Sequence, residues 1–291
     1  MNGNKASAER KKNIRLFLRR MTSRKIVIIG MAGTLFFILL AVFAPVIATH
    51  NPNEQSLMEE LADPSAEHIL GTDMLGRDLF SRVVYGSRVS LIIGVTSVLA
   101  AMTVGTLLGM LAAYNGGIVD ALLMRFCDAF RAIPQIAITT ALVAIYGRSI
   151  FSMAMIMGLS AVPGFIRMMR ASSLSTIGSE YVLSARLLGE HPLKVMLKHI
   201  FPNSVSPIII MATQAIGGTI MMESGLSFLG IGISVPTASW GTMVNEARPY
   251  LLTHPIYAAA PCVCIALLII SLNLLGDGVR DALDPTLRGA K

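Results

Sequence analysis

Apolar residues along this chain follow neither the alternation of a strand nor the 3.6-residue beat of a surface helix. They come in long runs, at residues 26–48, 89–114, a segment ending in 133–146, 150–169, 204–222 and 256–276. A helix rises 1.5 Å per residue, so about 20 residues cross a hydrocarbon core of about 30 Å. The pattern therefore predicts an all-α polytopic membrane protein with six transmembrane helices. The third run is the least clean, because Asp120, Arg125, Asp128 and Arg131 line its entry. Each would cost roughly 2.5–3.5 kcal/mol at mid-bilayer, which places them at headgroup level.

Composition sharpens this reading. Apolar residues make up 54% of the chain and charged ones 14%, a balance that suits a bilayer better than a water-soluble core. The first run follows a basic head and has 23 residues, whereas a cleavable signal core has about 7–15. It reads as an uncleaved anchor.

Charge then sets orientation, since Lys and Arg collect on the cytoplasmic side. The head, residues 1–25, carries nine basic residues against Glu9 alone. Residues 50–88 hold seven acids against Arg77, Arg82 and Arg88. Between the fourth and fifth runs the balance turns basic again, with Arg170, Arg186, Lys194 and Lys198 against Glu180 and Glu190. The tail adds Arg280, Arg288 and Lys291 against three acids. Six spans with both termini in the cytoplasm satisfy these biases. The net charge of +7 is thereby explained as topology, and no nucleic-acid partner is implied.

Candidate chemistry is sparse. Cys127, Cys262 and Cys264 lie in or beside apolar segments and read as small buried hydrophobes. The five His residues do not cluster with them, so no metal site is expected. Met153, Met155 and Met157 alternate and cannot share one helix face, which favours adaptable packing over a soft-metal path. No span carries a carboxylate or His near its middle, and Glu223 falls at the outer end of the fifth. Proton- or sodium-coupled transporters use such groups, so that class loses ground. The chain has no Gly-Lys dipeptide, hence no nucleotide-binding P-loop. It cannot bind ATP that way itself.

The loops carry more. In "HILGTDMLGRDLFSRVVYGSRVSL", residues 68–91, the part from Arg77 onward reads as an amphipathic helix lying on the membrane surface. Asp73, Arg77, Asp78 and Arg82 then form either a solvated face or an external docking surface. Residues 224–255 contain Gly225, Gly230, Gly232 and Gly241 with Pro236, Pro249 and Pro255, which forbid one continuous helix. They read as a re-entrant or membrane-hugging element, and Trp240, the only Trp, joins the docking candidates as an interfacial residue. Gly105 and Gly109 offer a close helix approach in the second span.

Residues 180–203, "EYVLSARLLGEHPLKVMLKHIFPN", lie between two apolar runs yet are half polar. Tyr181, Ala185 and Leu188 share one side of a first helix, which Gly189 ends. His191-Pro192 starts a second, with Pro where its missing N–H costs nothing, and Leu193, Met196, Leu197 and Ile200 on its apolar side. A short helix in water is marginal without a packing partner. The pair either packs on its own spans or plugs into another protein.

This segment resembles the cytoplasmic "EAA" loop of ABC-importer permeases. The motif's Gly falls at Gly189 and the preceding Ala at Ala185, and "HIFPN" is similar to the loop's usual ending. Its leading Glu falls at Leu183, its first Ala at Ser184, and Phe201 stands where Leu is usual. The stretches "LGTDMLGRDLFSRVVYGSRVSL", "ESGLSFLGIGISVPTASWGTMVNEAR" and "NLLGDGVRDALDPTLRG" resemble signatures of the dipeptide, oligopeptide and nickel branch. The resemblance implies a permease core over residues 85–277 with five spans, an added helix at 26–48, an external loop at 49–84 and a second external segment at 224–255. It implies basic cytoplasmic ends at 1–25 and 278–291. It also implies a coupling loop at 170–203 in which Ala185, Arg186, Gly189, His191 and Pro192 meet an ATPase. The implied setting is a bacterial inner membrane. The implied partners are a second permease, two ATPase subunits that bind ATP and Mg, and an extracytoplasmic solute-binding protein, which leaves this chain with no catalytic residue and no cofactor of its own. Peptides fit the branch best. Nickel or a metal chelate as cargo, or a non-transporting scaffold that recruits a cytoplasmic partner, are the alternatives.

Overall fold

The computed structural model describes Met21 and residues 24–283. The rest of the basic head and the tail beyond 283, with Arg288 and Lys291, lie outside the described residues. The chain is all-α, and among the described residues the only strand-like pairing is an isolated bridge between Thr72 and Asp78. Four helices are long and apolar enough to span a membrane: α1 (Lys25–Val42), α3 (Leu79–Asn115), α6 (Ile150–Ile177) and α11 (Pro255–Leu283). Two bent pairs bring the number to six if each is counted as one span. These are α4 (Gly117–Ala132) with α5 (Gln135–Tyr146), bent by 89°, and α8 (Pro192–Ser204) with α9 (Ser206–Phe228), bent by 62°. Shorter helices complete the chain: α2 (Ala44–Ile47), α7 (Glu180–Leu187) and α10 (Trp240–Ala247).

The break in the third run has a local cause. Ile133 precedes Pro134 and adopts the extended backbone that a following proline imposes, so the helix ends there and restarts at Gln135. Two charges of α4 find partners on a neighbouring helix. Asp120 pairs with Arg170, and Asp128 with Arg167, both arginines on α6.

The parallel pair α3–α6 is the spine, with Ser97, Gly105 and Gly109 of α3 meeting Ala154, Phe165 and Ile166 of α6 in turn. A Cβ on Gly105 would stand 2.4 Å from Cβ of Phe165, and one on Gly109 would stand 2.4 Å from the Ile166 carbonyl oxygen. Only glycine allows these backbones to approach so closely. Ser97 Oγ donates to the Ala154 carbonyl at 2.9 Å and adds a polar stitch. On the same helix Met153 and Met157 are buried while Met155 is exposed, as a four-residue repeat requires.

The surface helix expected from Arg77 onward is not a separate element. Asp78 accepts from the Ser81 N–H at 2.8 Å and caps α3, which then runs unbroken for 37 residues. At 1.5 Å per residue it is about 55 Å long, well beyond a hydrocarbon core of about 30 Å. Its first turns are enclosed by protein: Leu79, Ser81, Arg82, Val83, Val84, Gly86 and Ser87 are all buried. Burial around the helix, rather than on one side, is what period counting alone could not anticipate.

Candidate functional site

Two ends of the bundle concentrate the polar chemistry. At one end α7 and α8 form the loop between α6 and α9. Helix α7 closes with two bonds, from the Glu190 N–H to the Ala185 carbonyl and from the Gly189 N–H to the Arg186 carbonyl. Gly189 sits at φ +72° in the left-handed region, and the two bonds form the Schellman motif that this conformation permits. Pro192 then occupies the first turn of α8, with His191 as its cap residue.

The apolar residues of this loop divide into two faces. Val182, Ala185, Val195, Met196 and Ile200 are buried and join the core that contains Met110, Phe165, Ile166 and Met169. Tyr181, Leu183, Leu187, Leu188, Leu193 and Leu197 point outward, with Leu187 89% and Leu188 87% exposed. The expected single side, Tyr181–Ala185–Leu188, is therefore split, and only Ala185 faces inward. The set Leu193, Met196, Leu197 and Ile200 is split in the same way. The cause lies in the sequence, where Val182 and Val195 offer a second apolar stripe beside the expected one. A π-type turn over Met196–Ile200 also shifts the register of the second helix.

Polar contacts lock the corner. Glu190 takes Lys194 Nζ and His199 Nε2, each at 2.7 Å. Hydrogen bonds from Lys194 and then His199 hold the Glu190 carboxyl below its ordinary value. The Arg186 guanidinium lies 4.1 Å from the Tyr114 ring centroid and donates to the Tyr114 carbonyl at 3.3 Å, which ties the loop to the end of α3. The Thr176 and Ser204 hydroxyls bond at 2.9 Å and tie the end of α8 to α6. Beside the corner lies a cleft of about 670 Å³ lined by Tyr181, Leu188, Lys194 and Lys198. His191 and Pro192 are exposed.

At the opposite end the expected docking residues are buried. Asp73, Arg77, Asp78, Arg82 and Trp240 are each no more than 2% exposed. Arg77 Nε donates to Asp73 Oδ2 at 2.5 Å and Arg77 Nη2 to Glu246 Oε2 at 3.0 Å. Arg82 reaches the same two acids, with Nε 3.3 Å from Asp73 Oδ2 and Nη2 3.4 Å from Glu246 Oε2. Its Nη1 also donates to the Pro52 carbonyl at 3.1 Å. Trp240 Nε1 donates to the Val83 carbonyl at 2.8 Å, and its ring meets Phe37 edge-on. Both readings given to these side chains, a solvated face and a docking surface, are thus corrected. Two arginines and two carboxylates cancel inside the protein, because only a fully paired set tolerates burial.

Glu246 is the member that sequence reasoning missed. A signal existed, since it is the only acid between Glu223 and Asp277. Tyr257 on α11 contacts it as well, with OH 3.4 Å from Oε2. The network therefore fastens α10 and α11 to the start of α3. The 224–255 segment rests on protein here, as a broken, apolar segment must. Glu223 is fully buried and accepts from Ser227 at 2.7 Å and Ser239 at 3.1 Å, which anchors that segment to α9.

Comparison with known proteins follows this geometry. Residues 105–289 match the family described as "Binding-protein-dependent transport system inner membrane component". Residues 13–64 match "N-terminal TM domain of oligopeptide transport permease C". The dipeptide transport system permease protein DppC of Alkalihalophilus pseudofirmus is 37% identical, with 93% of this chain and 89% of the relative covered. The glutathione transport system permease protein GsiD of Pectobacterium atrosepticum is 38% identical over 94% of this chain and 91% of the relative. The probable D,D-dipeptide transport system permease protein DdpC of Escherichia coli K12 is 40% identical over 87% and 85%. A solved structure of the inward-facing MetNI methionine ABC transporter matches in fold. It has a TM-score of 0.56 over 70% of this chain and 96% of that chain, at 18% identity.

Proposed function

The chain belongs to the family of binding-protein-dependent transport system inner membrane components and is a multi-pass permease; on that premise we propose that its cargo is peptides, most simply di- or oligopeptides. The relatives named for dipeptides, glutathione and D,D-dipeptides share a cargo of short amide-linked amino acids, and this supports the choice. In this reading the chain supplies half of a pathway whose other half is a second, related permease. A solute-binding protein delivers cargo from outside, and both termini lie in the cytoplasm. Two ATPase subunits bind ATP and Mg, while the permease itself catalyses nothing.

The observation that carries the reading is the two-faced loop of α7 and α8. Its inward residues are packed on α3 and α6, so its outward leucines are surplus to the fold. Exposed apolar side chains on a rigid support outside the spans are what a partner groove can bury. Residues Ala185, Arg186, Gly189, His191 and Pro192 set the shape of that plug, with Ala185 seating it and Gly189 turning it. ATP-driven closure of the ATPase pair would then bias the spans between inward- and outward-facing states.

A mild-detergent pull-down of the tagged chain from its native membrane tests this. Recovery of two ATPase subunits, a second permease and ATP-dependent peptide uptake by the reconstituted complex is expected. Recovery of the chain alone from a complex-preserving detergent would overturn the assignment.

A further inference from the structure

The buried network at the Asp78 end leaves one group of side chains unexplained. His50, at the end of the first span, and His68, in the long loop, are 18 residues apart in sequence, yet the fold stacks their rings with centroids 4.7 Å apart. Both face Asp78: His68 Nδ1 is 2.9 Å from Oδ1, and His50 Nδ1 is 3.9 Å from Oδ2. One ligand-type atom from each of the three lies within 4.8 Å of the others. They border a cavity of about 340 Å³ whose lining also includes Glu54, Glu59 and Glu67 and contains no Lys or Arg. Four carboxylates with two imidazoles and no cationic side chain form a pocket that lacks a positive charge.

We propose that His50, His68 and Asp78 bind a divalent transition-metal ion of the zinc type. Two ligand atoms at about 2.1 Å from a tetrahedral ion are about 3.4 Å apart. One ligand-type atom from each of the three residues lies within 4.8 Å of the others, so small side-chain movements bring them to that spacing. Two imidazoles and a carboxylate select zinc-like ions over magnesium or calcium, which prefer all-oxygen shells. The proton balance is simple. Without metal, His68 Nδ1–H is bonded to Asp78 Oδ1. With metal at Nδ1, the proton resides on Nε2, where Glu59 Oε2 stands 3.8 Å away and becomes its acceptor. Glu59 is thus a positioning residue, and Glu54 and Glu67 add negative field.

The ion would have a structural task. Asp78 caps α3 by accepting the Ser81 N–H at 2.8 Å. A metal bridging His50, His68 and Asp78 would pin both ends of the intervening loop to the first turn of α3.

The test uses the full chain, purified with a histidine-free tag and stripped with a chelator. Zn(II) is titrated in competition with a chromophoric chelator, and Co(II) is added separately to read the ligand field. Expected results are one site per chain, a visible Co(II) band of tetrahedral strength and a zinc-dependent rise in melting temperature. His50→Ala is the informative variant, since the His50 side chain is 34% exposed, bonds only the neighbouring Thr49 hydroxyl, and leaves the backbone N–H bond to Ser81 in place. It should keep the fold and weaken zinc at least about tenfold, with Glu59→Gln losing about tenfold through misorientation of His68. Wild-type zinc affinity in His50→Ala would overturn the site. So would a Co(II) spectrum in the unmodified chain identical to that of the ion in buffer.

Discussion

Replacing Leu187 and Leu188 together by serine separates docking from folding. Both side chains are almost fully exposed, so their loss should change the stability of the isolated chain by no more than about 0.5 kcal/mol. Buried in a partner groove, each leucine is worth roughly 1.5–3 kcal/mol. Area at an interface converts to affinity only in part, so the pair together should supply about one leucine's worth. At 1.4 kcal/mol per decade that is about a ten- to hundredfold weaker affinity for the ATPase subunit. The assay is a titration of the labelled ATPase against the detergent-purified permease, with thermal melting in parallel. Ile200→Ala is the matched control on the other face. Ile200 is fully buried, and its truncation should cost about 2–5 kcal/mol of fold stability. The reasoning fails if the leucine variant is folded and still binds ATPase with wild-type affinity, since the outward face would then be idle.

Three other outcomes are expected. Glu246→Gln leaves Arg77 and Arg82 sharing Asp73 as their only carboxylate, so the purified chain should lose about 3–5 kcal/mol of stability; an unchanged melting curve would mean the network is already hydrated. Gly109→Leu drives a side chain into the Ile166 carbonyl and should part α3 from α6, costing at least about 1–3 kcal/mol and lowering yield from the membrane. A Cβ at Gly189 meets no atom within 4 Å, so Gly189→Arg starts into open space, but it strains the left-handed corner by about 1–2 kcal/mol. It should therefore insert normally, fail in ATPase recovery and abolish uptake, and wild-type recovery in a pull-down would refute the corner's role.

Single-chain pattern reading located the long apolar helices because run length is a one-dimensional property set by bilayer thickness. It also found the Gly189 corner and the Pro192 start, since these are local backbone requirements. It failed wherever a residue's environment comes from distant segments. Arg77 and Arg82 look like a solvated stripe until Glu246, well over a hundred residues away, is brought against them. Trp240 looks interfacial until Val83 supplies its acceptor. His50 and His68 carry no recognisable metal spacing, and only the fold stacks them. In the loop, helical period offered two apolar stripes, and the choice between them depended on the positions of Phe165 and Met169 on α6.

That two-stripe arrangement also decides how a force on the loop would be passed on. Val182, Val195, Met196 and Ile200 are at most 4% exposed, and pulling them off the spans would forfeit roughly 6–12 kcal/mol at 1.5–3 kcal/mol per side chain. The outward pair, Leu187 and Leu188, can gain at most about 3–6 kcal/mol by the same measure. The inner face therefore grips harder than Leu187 and Leu188 alone can pull, before counting the Arg186–Tyr114 and Thr176–Ser204 contacts. A partner that moves while holding the leucines would move α3 and α6 with the loop rather than peel it away. Because α3 continues unbroken to its cap at Asp78, the displacement would reach the opposite end of the bundle at full length. Weakening the inner grip should uncouple the two ends without changing the outer face. Val182→Ala with Ile200→Ala should therefore retain ATPase binding but stimulate uptake poorly per ATP consumed, and tight coupling in that variant would show that the force takes another route.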